Sequence, residues 1–247
     1  MKTQISVTIL AKNSSETIEE TLISTIGFPE VLVLDTGSTD ATIEICSRYP
    51  HVKIFSHPFE GFGPTHNIAS SLARFPWILS LDSDEVLTPK LKNEILSLSL
   101  DSRSVYRIRR HNFFRKKRIT TCSGWDPDWV VRLYDKTQTR FSNDQVHEKI
   151  LTSGMNIVSL IHPMTHTPYR KISDFLHKMQ SYSNLFADQN VGRREASLLK
   201  ALLHGWLAFV KSYIFKRGIF QGSEGFIISL YNSHTTFYKY LMLSEKK

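Results

Sequence analysis

Short apolar runs take turns with helix-patterned segments through the first hundred residues, and this rhythm restricts the possible folds more than any other feature of the chain. Runs at residues 5–11, 31–34, 52–55 and 77–81 are followed in turn by helical spacing at 17–26, 41–48, 67–73 and 91–98. A parallel strand pair needs a crossover long enough to hold a helix, so the alternation predicts an α/β layered sheet of mostly parallel strands. Asn13 followed by Glu16 predicts a cap on the first helix, and Ser38 or Thr39 a cap on the helix after Gly37. From residue 105 to 161 the candidate strands shorten to 105–109, 130–134 and 157–161, an antiparallel addition to the same sheet. Beyond His166 the spacing turns helical, first through Phe175, Met179, Tyr182 and Phe186, then over 198–215 and 226–243. The expected organisation is an α/β domain over residues 1–165 and a helical region over 166–247.

In an open parallel sheet, ligands bind beyond the carboxyl ends of the strands. Three polar clusters stand there: Lys12-Asn13, the segment from Asp35 to Asp40, and Asp82-Ser83-Asp84-Glu85. Carboxylates far apart in sequence would thus meet at one rim. Two carboxylates at alternate positions of a strand end can face the same side and offer hard oxygen ligands to Mg2+ or Mn2+. The D-x-D spacing occurs again at Asp126-Pro127-Asp128, but only Asp82-Ser83-Asp84 follows a strongly apolar run. Residues 33–40 hold one Gly and no Lys, which matches neither a phosphate-binding P-loop nor a G-x-G-x-x-G turn and disfavours a kinase or an NAD enzyme. An acceptor-only carboxylate at Asp35 suits a nucleobase or ribose hydroxyl.

The net charge of +8 calls for a polyanionic partner: nucleic acid, an anionic membrane or a phosphorylated substrate. One basic tract runs over residues 103–118 and includes His111, Phe113 and Phe114; it reads as a docking surface for a phosphorylated lipid-linked acceptor or as a solvated face. A second joins Trp206, Phe209, Tyr213 and Phe215 to Lys211, Lys216 and Arg217, which suits a headgroup-level amphipathic anchor or core packing. No run reaches the roughly 18 unbroken apolar residues of a membrane span, and the N-terminal MKTQISVTILAKN reads as a buried strand and not a signal peptide. Cys46 and Cys122 make neither a disulfide framework nor a four-cysteine zinc site, which fits a reduced, cytosolic setting. Pro163 argues against a zinc pair from His162 and His166.

The blocks ILAKN, VLDTGSTDAT, FEGFGPTHNIA and WILSLDSDE together resemble the inverting family-2 glycosyltransferases with the GT-A fold. GWDPDWVVRLYDK, QVHEKI and KSYIFKRGIFQG resemble, more narrowly, the lipopolysaccharide core glucosyltransferases, and the likeness runs from residue 5 to about 240. It implies a GT-A, Rossmann-like mixed sheet flanked by helices, with a C-terminal helical region that docks on membrane or acceptor. It further implies a metal-dependent hexosyltransferase that uses Mn2+ or Mg2+ and carries glucose from UDP-glucose to a lipopolysaccharide inner-core heptose. Such an enzyme works at the cytoplasmic face of the inner membrane, as a peripheral protein on an anionic surface, and has no nucleic acid partner.

Residue by residue, the likeness places Ala11, Asn13, Asp35, Asp40, Asn67, Asp82 and Arg132 around the nucleotide sugar, and Asp82, Asp84 and His147 on the metal. Inversion needs a carboxylate to deprotonate the acceptor hydroxyl opposite the leaving diphosphate. Asp128, Glu148 and Asp126 are the candidates, with Asp128 favoured slightly over Glu148. The chain departs from the family in reading Ser14-Ser15 after Asn13, where relatives carry an acid; Glu16 is the nearest substitute. The rival readings are a transferase of the same fold acting on a protein or a polyprenyl phosphate, and a basic nucleic-acid-binding module.

Overall fold

The computed structural model describes residues 4–144 and 148–246. Four parallel strands form one half of its sheet, from the edge inward in the order β3-β2-β1-β4: β1 (Ile5–Ala11), β2 (Glu30–Asp35), β3 (Val52–Ser56) and β4 (Trp77–Asp82). β1 and β2 are covered on both faces: every residue of β2 and all but Leu10 of β1 are buried, so Ser6 and Thr8, which alternate with aliphatic residues along β1, lie inside as well. On one face Val7, Val33 and Leu81 pack with Ile18 and Leu22 of α1 (Ile18–Ser24) and Ile45 of α2 (Thr42–Ser47). On the other, Leu32 and Ile78 pack with Tyr134 and Phe141. Each of these aliphatic side chains contributes about 1.5–3 kcal/mol by leaving water, which pins the register that brings the strand ends together.

The sheet continues through β8 (Asp128–Asp135), β6 (Ser104–Phe114), β10 (Met164–Tyr169) and β5 (Glu85–Leu87). Strand β8 runs antiparallel to β4, and β10 antiparallel to β5, as the change of rhythm after residue 105 predicts. One strand differs. β9 (Asn156–Ser159) pairs with β6 in parallel, which the long connection between them permits, since it is far longer than a crossover requires. A short β7 (Lys117–Arg118) folds back on the end of β6.

Two helix starts depart from the sequence reading. Asn13 adopts a left-handed backbone (φ 49°) and its Oδ1 accepts the Thr39 N–H at 2.8 Å, so it ties two loops together and α1 begins without a side-chain cap. Asp40, and neither Ser38 nor Thr39, accepts the Thr42 N–H at 3.0 Å at the start of α2. Helix α3 (Phe62–Leu72) begins earlier than residue 67, because Gly61 turns the chain with φ 102° and Pro64 is tolerated in a first turn. The helix predicted over 91–98 is α4 (Pro89–Ser97), capped by Thr88, whose Oγ1 accepts the Leu91 N–H at 3.2 Å.

Gly63 sets the next segment in place. Its N–H donates to the Asp144 carbonyl at 3.2 Å, and a Cβ built on it would lie 1.9 Å from the Ser142 carbonyl oxygen. Gly63→Ala must therefore push residues 142–144 away, at a cost of about 1–3 kcal/mol. Thermal unfolding is the measurement, and an unchanged midpoint would show that the segment yields freely.

The chain clusters into two compact units: Met1–Arg110 with Trp129–His166, and His111–Asp128 with Thr167–Lys247. The second holds α5 (Ile172–Asn190), α6 (Leu198–Val210), a π-helical turn Lys211–Phe215, a 3-10 turn Gly218–Gln221 and α7 (Gly222–Glu245). Its core joins Phe114, Ile119, Cys122 and Trp125 to Phe175 and Ile228, with Phe175 stacked on Tyr169 at 4.0 Å between ring centres.

Candidate functional site

In the first unit the register sets Ala11 beside Asp35 and Leu10 beside Asp82, so the ends of β2 and β4 flank the end of β1. The sequence separation between the two acids disappears at this rim. Asp35 is buried and folds its carboxylate onto its own turn, accepting N–H groups from Gly37 at 3.0 Å and Ser38 at 3.1 Å. Gly37 takes the turn with φ 97°, a conformation that a Cβ would strain. The Ala11 carbonyl accepts the Thr36 N–H at 2.9 Å, and the Asn13 N–H donates to Ser38 Oγ at 2.9 Å.

Asp40 closes the same loop, accepting the Ser15 N–H at 3.1 Å as well as Thr42. Burial alone would raise its pKa, but the hydrogen bonds from Thr42 and Ser15 prevail and hold it at about 2. Asn67 stands apart from this group. Its amide donates to the Phe141 carbonyl at 3.0 Å and accepts the Phe141 N–H at 2.9 Å, clipping α3 to the backbone at Phe141.

Around β4 the charges are tightly paired. Arg132, 6% exposed, donates through Nη2 to Asp82 and to Glu85 Oε1, the latter at 2.6 Å, while Glu85 is wholly buried. Arg110 adds a second guanidinium to Glu85 at 3.2 Å, and Glu85 Oε2 accepts the Asp82 N–H at 3.0 Å. Burial works against the Asp82 charge, yet Arg132 first, then His66, Arg110 and His166, bring its pKa well below the ordinary carboxylate range. His66 is buried, stacks on Phe141 at 4.3 Å and places Nε2 4.0 Å from Asp82 Oδ1; burial lowers its pKa to about 4, so the ring is neutral. On the outer side, His166 Nε2 lies 3.6 Å from Asp84 Oδ1.

Among the described residues, no three His, Cys, Asp or Glu side chains converge as a metal cage. The Asp84–His166 pair still suits a hard divalent cation, because Mg2+ and Mn2+ sites on nucleotides use one or two protein ligands and take the rest from phosphate and water. His147 lies outside the described residues. Glu148 is half-buried, and burial, reinforced by the charge of Asp82, raises its pKa. Asp128 and Asp126 belong to the second unit, where Asn112 Nδ2 donates to Asp128 Oδ2 at 3.0 Å and to the Trp125 carbonyl at 2.6 Å.

The sequence reading gave His66 no role, named Glu85 only as a member of the Asp82–Glu85 cluster, and weighed His166 only in a zinc pair with His162 that it rejected. Glu85 and His66 stand inside the motif blocks WILSLDSDE and FEGFGPTHNIA, a signal that could have drawn attention to them. Nothing in the sequence set His166 beside Asp84, since the pairing of β10 with β5, His166 opposite Glu85, brings it to the rim.

Residues 6–162 match the family model for glycosyl transferase family 2. An uncharacterized glycosyltransferase of Rickettsia bellii is 24% identical over 260 residues, spanning 98% of this chain and 86% of the relative. The lipopolysaccharide core biosynthesis glycosyltransferase LpsC of Rhizobium meliloti is 24% identical over 241 residues, spanning 92% of this chain and 86% of its own length. Among solved structures, S. aureus TarS 1-349 in complex with UDP-GlcNAc superposes with a TM-score of 0.50 at 18% identity, over 93% of this chain and 80% of that one.

Proposed function

Because this chain belongs to glycosyl transferase family 2 and has the GT-A fold, we propose that it transfers glucose from UDP-glucose to a lipopolysaccharide inner-core heptose, with inversion, in one displacement. The observation that carries the reading is the meeting of Asp35 and Asp82 on either side of the end of β1, with Asp84 and His166 beside them. A nucleoside is held by acceptors at one strand end and its diphosphate by a cation at the next, which is the order of these groups along the rim. The lipopolysaccharide acceptor is supported by the name and length match of the Rhizobium relative, and a uridine nucleotide by the ligand of the TarS structure.

In this reading Asp35 and Asp40 recognise the nucleoside, with Asn13 and the Ala11 carbonyl holding the loop that presents them. Asp84 and His166 would hold Mn2+ or Mg2+, with His147 as a further candidate ligand, and a cation held by them would supply charge neutralisation for the departing diphosphate. Arg132 acts as a positioning residue. Its guanidinium is engaged by Asp82 and Glu85, and it fixes Asp82 toward the ribose. Glu148 deprotonates the acceptor hydroxyl, a task that its half-buried setting and raised pKa favour. The protein works at the cytoplasmic face of the inner membrane, bound to an anionic surface.

The test is calorimetric titration with UDP, GDP, CMP and ADP and their sugars, each with Mn2+ and again with EDTA. UDP-glucose is expected to bind best and to lose most of its affinity in EDTA. Preference for another nucleotide would overturn the donor assignment, and equal affinity in EDTA the metal assignment.

A further inference from the structure

Helix α6 and the turn after it carry small side chains inside and large apolar ones outside. Ala201 and Gly205 are buried in α6 and Ser212 in the π-helical turn. At Gly205 a Cβ would stand 3.1 Å from the Phe237 Cβ of α7, so the helices touch nearly backbone to backbone. Hydrogen bonds line the contact: Ser233 Oγ donates to the Gly205 carbonyl at 2.9 Å, and Asn232 Nδ2 to Ser212 Oγ at 3.1 Å. The opposite stripe, at the spacing 199, 203 and 206, is open to the surroundings, with Leu199 76% and Trp206 62% exposed. Phe215 and Phe220, each 76% exposed, extend the apolar surface past the helix end.

A helix on a protein in water turns its large apolar face inward. Small residues and hydrogen-bonded hydroxyls between helices, with leucines outside, are the arrangement for helices whose surroundings are hydrocarbon. By length and composition the segment Leu198–Phe215 could cross a bilayer, yet one side of it is held against α7. Charge chooses the occupant. Between residues 193 and 223 the chain carries Arg193, Arg194, Lys200, Lys211, Lys216 and Arg217, all exposed, against one acid, Glu195, which pairs with Lys200 at 2.8 Å. A second copy meeting this face about a twofold axis would bring the cations against themselves, whereas anionic headgroups would neutralise them.

We infer that α6, the π-helical turn and the 3-10 turn form a docking face for an anionic lipid bilayer, with α6 lying in the plane of the interface. Leu199, Leu203, Trp206, Phe215 and Phe220 enter the acyl region, and the lysines and Arg217 reach back to lipid phosphates. This rests on the proposed placing of the enzyme at a membrane surface and names the structure that performs it.

The test is flotation of the full chain with vesicles of phosphatidylcholine alone or mixed with phosphatidylglycerol, at about 0.15 M salt. The wild type is expected to float with the anionic vesicles, and a Leu199→Glu, Leu203→Glu variant about tenfold less. Lys211→Glu with Lys216→Glu is expected to erase the preference for anionic lipid, and brominated acyl chains to quench the wild type more than Trp206→Phe. A wild type that stays behind overturns the inference, as does a leucine variant that floats equally well. So does a dimer in sedimentation that the leucine variant abolishes while vesicles leave the wild type unbound. UDP-glucose titration of the same preparations separates the two proposals: a protein that floats but binds no nucleotide removes the donor reading and supports this one.

Discussion

Arg132→Met is expected to lower the unfolding free energy by about 3–5 kcal/mol at neutral pH, because it strands the buried Glu85 and the neighbouring Asp82 without their shared cation. Methionine fills much of the same volume, so a lost cavity does not explain a fall of that size. Arg110 donates to Glu85 at 3.2 Å and favours the Asp82 charge less than Arg132 does, so it makes up only part of the loss. The pH dependence has a definite sign. Asp82 is held below the ordinary carboxylate range by Arg132 against the effect of burial, so its contribution is present above the unfolded pKa and is lost as pH falls through the folded one. The gap between wild type and variant should accordingly narrow in acid. Urea unfolding across pH measures it, and a gap below about 1 kcal/mol at neutral pH would place the pair among exposed ion pairs of little consequence. Neutralising all three groups together, as Asp82→Asn, Glu85→Gln and Arg132→Met, should recover part of the loss, since a buried charge is costly mainly when its partner is removed.

The same triad shows where sequence reading stops. The strand-and-helix rhythm made β1 to β4 legible, because each short run rich in aliphatic residues was followed by a segment of helical spacing long enough for a parallel crossover. The rim acids were legible too, as polar clusters directly after those runs. Nothing local, however, announces that Arg132 closes on Asp82 and Glu85, because the contact depends on β8 lying antiparallel to β4. The parallel pairing of β9 was hidden for the same reason, and so was the meeting of His166 with Asp84. Asn13 misled in another way: a side chain suited to capping was used for a contact with Thr39, far along the chain. In α6 the spacing of large apolar residues was visible, but its direction was decided by Ala201, Gly205 and Ser212, whose smallness matters only once α7 is packed on them.

On the proposed role of Glu148 as general base and UDP-glucose as donor, Glu148→Gln is expected to reduce kcat by about a hundred- to ten-thousand-fold and to leave the donor KM nearly unchanged, because general-base removal acts on the transition state and not on donor binding. Glutamine keeps the shape of the side chain and removes the proton acceptor. The wild-type pH profile supplies an independent readout. Burial and the charge of Asp82 raise the Glu148 pKa, and the base must be ionised to act, so the acid limb of kcat should lie above the ordinary glutamate range. That limb should vanish in Glu148→Gln. Asp128 is the other candidate for the base, and its carboxylate accepts a hydrogen bond from Asn112 at 3.0 Å. Asp128→Asn should cost less than about tenfold in kcat if that contact is its role, since an asparagine oxygen can accept the same hydrogen bond. A profile with the two effects exchanged would move the base to Asp128. Glu148 would then stand as a carboxylate whose raised pKa reflects burial beside Asp82 and nothing catalytic.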